Sequence, residues 1–223
     1  MKQYILHIDT SAGNAIVALS CNGIILYNKI NNEARNHASS INILIEALID
    51  EAKIQFTDIS AIATCGGPGS YTGLRIGLAT AKGLCYALDK PLILDNKLAL
   101  LSYQSFNRHL VKFEEYITVL TARAKEYFIA VFDFDFKCTL EPRHVSEEQL
   151  IAITDTTKEI FLTIDSETLP ETLKSHKIIK VETDVHIDLK YWANYSFNRF
   201  KCHDIEILST SEPFYLKQVY THK

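Results

Sequence analysis

The sequence predicts an α/β fold in which one βββαβαβα pattern is written twice. Two observations carry this. Between Tyr4 and Phe106, short β-branched runs and longer amphipathic stretches follow in that order, and a weaker echo of the order runs from Tyr116 to Phe200. No Ser/Gly-rich linker or low-complexity segment interrupts the chain, so the division near residue 101 rests on element order.

Strands are predicted over Tyr4 to Ile8, Ala15 to Cys21 and Ile24 to Ile30. Asn22-Gly23 between the last two is a strong hairpin signal, because both residues tolerate the positive φ of a tight turn. A helix follows from about Asn36 to Lys53, with Ile41, Leu44, Ile45, Leu48 and Ala52 on one face. Next come a strand (Ile59 to Thr64), a loop from Cys65 to Tyr71, a helix (Thr72 to Leu88), a strand (Pro91 to Leu94) and a helix (Lys97 to Phe106).

In the second half, strands are expected at Tyr116 to Leu120, Tyr127 to Phe134 and Phe136 to Leu140. A helix then starts at Ser146, where Glu148 and Gln149 suit a first turn. A strand (Glu159 to Ile164), a short helix (Leu169 to His176), a strand (Ile178 to Val181) and a helix (Asp188 to Phe200) complete it. The doubled order implies two ribonuclease-H-like domains, the architecture of the actin, hexokinase and Hsp70 ATPases, over residues 1–101 and 102–223. The tail, with Pro213-Phe214-Tyr215-Leu216-Lys217, is too aromatic for a solvated end and can pack back on the first domain.

Composition narrows the function. The 223 residues are 47% hydrophobic and 22% charged with net charge −4, so no overall basic field draws the chain to nucleic acid. Five dispersed cysteines without a CxxC pair fit reduced core thiols. No apolar run is long enough to cross a bilayer and the start lacks a signal-peptide core, so the expected location is cytoplasmic, with no membrane contact. All eight glycines fall between Gly13 and Gly83, which confines any glycine-rich phosphate loop to the first domain.

Two segments there have the chemistry of a nucleotide site. Asp9-Thr10-Ser11 ends the first strand, where a carboxylate can hold Mg²⁺ through water and hydroxyls can meet phosphate; an Asx turn closing the hairpin is the structural alternative. Gly66-Gly67-Pro68-Gly69-Ser70 leads from a strand into a helix N-terminus, an anion-binding arrangement. It is neither a Walker A loop, since Leu74 and Arg75 follow Gly73, nor a GxSxG elbow. The tight turning of the chain explains its glycines as well.

The helix after that loop is apolar almost all round. Leu74, Leu78, Ala81, Cys85 and Leu88 form one face, yet Ile76, Ala79, Thr80, Gly83, Leu84 and Ala87 occupy the opposite one. A helix buried on both sides needs a second covering body outside its own sheet, either a partner subunit or the third helix or the tail of the same chain. Gly73, Gly77 and Ala81 recur every four residues, which permits close helix approach. Ile43 and Ala47 extend the surface onto the preceding helix. The expected interface is Ile43, Ala47, Gly73, Ile76, Gly77, Thr80, Gly83, Leu84 and Ala87.

The opening Ile5-Leu6-His7-Ile8-Asp9-Thr10-Ser11, the block from Gly67-Pro68-Gly69-Ser70-Tyr71-Thr72-Gly73 to Leu84, and Pro213-Phe214-Tyr215-Leu216-Lys217 together resemble the bacterial TsaB (YeaZ) family. The resemblance implies a non-catalytic subunit for N6-threonylcarbamoyladenosine formation at position 37 of tRNA. It implies pairing with a catalytic TsaD-like subunit, joined by a TsaE-like ATPase, a homodimer when alone, and only indirect contact with tRNA. No cofactor is expected; weak binding of ATP or ADP would use Asp9, Thr10, Ser11, Gly67, Gly69 and Ser70. The older peptidase label of the superfamily needs a metal-binding HxxxH, which this chain lacks. The family's usual Asp-Ala-Arg is replaced by Thr121-Ala122-Arg123, so no role is carried to that position. The alternative is a nucleotide-dependent enzyme of the same fold using Asp9 and the Gly66 to Ser70 loop.

Overall fold

A computed structural model describes residues 1–32, 37–154, 157–165 and 178–215. The short helix expected at Leu169 to His176, together with Leu216 and Lys217, lies outside the described residues. The chain forms two compact units, Met1–Lys97 with Asp188–Phe214, and Leu98–Ile187 with Tyr215–Lys223.

In the first unit β1 (Tyr4–Asp9), β2 (Ala15–Cys21), β3 (Ile24–Asn31), β4 (Ile59–Gly67) and β5 (Leu92–Asn96) form a sheet in the order β3-β2-β1-β4-β5. The two hairpin pairs are antiparallel, whereas β1, β4 and β5 run parallel. The parallel connections demand helices on the sheet faces. Helix α1 (His37–Ala52) and α2 (Tyr71–Leu88) cover one face, sealing Leu6, Ile8, Val17, Ile45, Leu48, Leu78 and Cys85 into one core. The other face, Ile5, Ala61, Ala63 and Ile93, packs against Phe197 and Phe200 of α5 (Leu189–Lys201).

The second unit repeats the topology: β6 (Glu115–Arg123), β7 (Glu126–Asp133), β8 (Cys138–Ser146), β9 (Ile160–Ile164) and β10 (Ile178–Glu182) are ordered β10-β9-β6-β7-β8. Again the first three strands are antiparallel and the last two join in parallel. Helix α4 (Glu147–Thr154) packs Leu150 on the core of one face. Its start is a capping box, in which Ser146 Oγ accepts from the Gln149 amide (3.3 Å) and Gln149 Oε1 from the Ser146 amide (3.0 Å). Helix α3 (Lys97–Arg108) lies on the opposite face, where Ser102 meets Thr118 (2.7 Å) and Ser105 meets Thr163 (2.9 Å). The duplicated ribonuclease-H-like fold is therefore the architecture of the chain.

A single cut at residue 101 is not how the chain divides. The last helix of each half joins the unit built mainly from the other half: α3 from Leu98 onward belongs to the second unit and α5 to the first. Periodicity marks an apolar stripe on each helix but not the sheet that receives it. For α5 the receiving residue is Asp95, buried in the apolar run of β5. Trp192 Nε1 and Ser196 Oγ each donate to Asp95 Oδ2 at 2.7 Å, and Arg199 reaches Oδ1 at 3.0 Å.

Candidate functional site

At the C-terminal ends of β1 and β4 the two segments singled out from sequence meet. The Ser11 amide donates to Asp9 Oδ1 (2.8 Å), so Asp9-Thr10-Ser11 forms the Asx turn weighed as the structural alternative. Thr10 Oγ1 donates to the Gly73 carbonyl (2.6 Å), and the Ser11 carbonyl accepts from the Ser70 amide (2.8 Å). Ser70 is the N-cap of α2, its hydroxyl accepting from the Gly73 amide at 3.3 Å. The amides of Ser70 and Gly73, at the anion-attracting end of α2, thus already have partners from the chain.

The glycines of this region are required by that packing. A Cβ on Gly69 would stand 2.6 Å from the Ser11 carbonyl, and one on Gly73 would collide with the Thr10 carbonyl. On Gly77 a Cβ would lie 2.6 Å from Thr10 Oγ1. Gly67 takes φ +108° before a cis bond to Pro68. Gly66 is covered from the tail, where the Phe214 amide donates to its carbonyl (2.9 Å) and a Cβ would meet the Phe214 ring at 2.7 Å.

This corrects two residues of the expected interface. Gly73 and Gly77 face inward, and the close approach they allow is to the β1–β2 turn of their own unit. Ile76 and Leu84 also lean part-way onto the core. What remains outward is Ala79, Gly83, Tyr86 and Ala87 of α2 with Ile43 and Ala47 of α1, while Thr80 is half-buried. Ile43 is 65% and Tyr86 84% exposed. Gly83 has nothing within 4 Å of a built Cβ, so no contact within the unit calls for a glycine there. Lys82 borders this surface and is tied down by the Ser211 carbonyl at 3.1 Å.

Other reactive-looking groups of the chain are engaged by its own packing. Burial, reinforced by Asp9, pushes the Cys65 thiol up to about 12, too high for a thiolate nucleophile at neutral pH. Buried His7 is held down to about 3; its Nε2 meets Ser20 Oγ at 2.9 Å and its ring stands edge-on to Trp192. Asp204 of Cys202-His203-Asp204 is bound by Arg199 (2.6 Å), and Asp133 closes a turn through the Asp135 and Lys137 amides. Among the described residues no three His, Cys, Asp or Glu side chains could hold a metal, and no helix is long and apolar enough to cross a membrane.

Sequence reasoning missed two features. The Asp95 network was signalled only by a carboxylate inside an apolar strand and by the single tryptophan. At the position of the Thr121 departure, the Thr121 amide and hydroxyl both donate to Asp165 (2.8 to 3.0 Å). A carboxylate thus occupies the end of β6, which corresponds in topology to the end of β1.

Taken together, these features define a duplicated ribonuclease-H-like protein whose first-unit strand-end loops are packed against a helix start, and whose first two helices keep an apolar outer face. The family model for TsaD, described as tRNA N6-adenosine threonylcarbamoyltransferase, matches residues 25–197, and the chain belongs to that family. It is similar to the tRNA N6-adenosine threonylcarbamoyltransferases of Clostridium perfringens (37% identity over 108 residues, 41% of this chain and 32% of the relative) and Prosthecochloris aestuarii (31% over 118 residues, 47% and 34%). The match thus spans about a third of those relatives' length. In fold it is similar to YeaZ from Pseudomonas aeruginosa, with TM-score 0.77 and 21% identity over 96% of this chain and 100% of that one. A second solved structure, of an uncharacterized protein with similarity to peptidase YEAZ from the same organism, gives TM-score 0.76 at 22% identity.

Proposed function

We propose that the chain is a TsaB-like, non-catalytic subunit that pairs with a TsaD-type threonylcarbamoyltransferase and so supports formation of N6-threonylcarbamoyladenosine in tRNA. The observation that carries this is the outer face of α1 and α2, where Ile43, Ala47, Gly83, Tyr86 and Ala87 stand in water. Exposed apolar residues gathered on two adjoining helices are what a partner surface can cover. Gly83 adds a second argument: a glycine inside a helix costs roughly 1 kcal/mol relative to alanine, which is recovered if a partner helix must pass close by.

The strand-end loops support a supporting role over nucleotide turnover. A phosphate at the start of α2 would have to displace the Ser11 carbonyl from the Ser70 amide. In the assembled complex a TsaE-like ATPase would join the pair, and tRNA would be held by the partner; without the partner, two copies would pair through the same face.

Size-exclusion chromatography with light scattering, on the chain alone and mixed with its TsaD-type partner, tests the reading. The expected result is a mixed pair that Ile43→Glu and Ala87→Glu both abolish with unfolding midpoints unchanged. A chain that stays monomeric and indifferent to the partner, or a pair that survives both substitutions, overturns it.

A further inference from the structure

The second unit has a hollow of its own. After Arg108 ends α3, the segment through His109 and Phe113 leads into β6, and it walls a cavity of about 550 Å³ together with Glu159 and Lys180. Small-molecule sites span roughly 300 to 1,000 Å³. Buried Phe113 backs the space, while Leu110 stands fully exposed beside it and Val111 is 70% exposed. Apolar side chains left in water around an apolar hollow are what a ligand with an apolar body would cover.

The charges around it are unevenly matched. Arg108 has a carboxylate, Glu182, at 3.2 Å. Lys180 Nζ lies 3.1 and 3.2 Å from the two ring nitrogens of His109 and 5.6 Å from the centre of the Phe161 ring; among the described residues no carboxylate forms an ion pair with it. His109 is itself wedged against Phe161, the ring centres 5.0 Å apart. An exposed ammonium group with only an imidazole and an aromatic face beside it is open to an incoming anion.

We propose that this cavity binds a small amphipathic anion, an apolar or flat body carrying one carboxylate or phosphate, with its head group at Lys180 and His109 and its body against Phe113 and Val111. The site belongs to the second unit, whereas the helical face assigned to partner binding belongs to the first. The two cations and the single carboxylate lining the cavity favour one acidic head group over a polyanion.

His109 couples the site to protons. Burial, Lys180 and Arg108 hold its imidazole below the usual histidine range, with Glu182 acting the other way. An anion beside Lys180 offsets the repulsion, so the ring can take a proton and become a second donor. The groups facing it are Lys180, Arg108, Glu182 and Glu159. Binding therefore strengthens as pH falls.

The full chain is titrated calorimetrically with octanoate, AMP and inorganic phosphate at about pH 6 and about pH 8, following the His109 ring signals by NMR. The expected result is one saturable site for octanoate or AMP, about fivefold tighter at the lower pH, with an upward-shifted His109 titration. Lys180→Gln and Val111→Asp should each weaken it about tenfold without changing circular dichroism. A preference for octanoate assigns an acyl body and a preference for AMP a nucleoside; either supports the proposal. Phosphate binding as tightly as both would overturn the apolar body. Saturation by neither organic probe, binding that survives both substitutions, or a Val111-dependent self-pair in light scattering would overturn the site.

Discussion

Arg199 donates to the Asp95 carboxylate across 3.0 Å although 104 residues separate them. The helix positions make the contact cooperative: Trp192, Ser196 and Arg199 lie on one face of α5 and converge on the same buried side chain. Burial pushes the Asp95 carboxyl above the ordinary range while Arg199, Ser196 and Trp192 pull it back. Asp95→Ala leaves the buried Trp192 and Ser196 donors without their shared acceptor, while Arg199 keeps Asp204, so the change should cost about 1 to 3 kcal/mol in urea unfolding.

The two ends of α2 should answer differently to one added methyl group. Gly73→Ala drives a Cβ into the Thr10 carbonyl, which is backbone and cannot step aside, and should destabilise by about 1 to 3 kcal/mol. Gly83→Ala meets nothing within 4 Å and should stabilise the isolated chain by about 1 kcal/mol. Thermal unfolding of both variants checks the pair of signs.

Pairing and stability should separate on the outer helix face. Ile43→Glu sits in water, so its effect on the unfolding free energy should stay within about 0.5 kcal/mol. Under the proposed function the same change should weaken pairing more than about tenfold, read by analytical ultracentrifugation.

Acid should loosen the first unit through His7. The unfolded imidazole takes a proton below its ordinary pKa of 6.5, whereas the folded one does so only near 3. Between those values the unfolded state binds more protons. The stabilisation is therefore complete above 6.5 and is lost as pH falls toward 3, up to about 5 kcal/mol for this group. Urea midpoints at about pH 7.5 and 5.5 should differ less in His7→Gln than in the parent chain.

The thiols should react in order of exposure. Cys202 is exposed, whereas Cys65 and Cys85 are buried with pKa values near 12. A disulfide reagent at neutral pH should label Cys202 rapidly and leave Cys65 and Cys85 untouched until the chain unfolds. Mass mapping of labelled peptides checks the order.

Much of this was legible along the chain. The Asn22-Gly23 turn, the period of α1 and α2, and the Ser146 capping box specify local structure because each depends on residues within a few positions of one another. The block from Gly67 to Leu84 carried the family resemblance. The same block misled on Gly73 and Gly77: a small residue every four positions promises close approach, but the partner that approaches is the chain's own Thr10, which spacing cannot name.

The sequence by itself determined two five-stranded patterns, the helices α1 to α5, the family, and a second helix with more apolar surface than one sheet can cover. Only the tertiary structure decided that α3 and α5 change places between the halves, that Asp9-Thr10-Ser11 closes against α2, and that Lys180 meets His109 beside an open cavity. The physical reason is range. Backbone propensity and amphipathic period act within a turn or a strand, whereas burial of Asp95 with Arg199, or of Gly73 against Thr10, depends on which distant surfaces exclude water together.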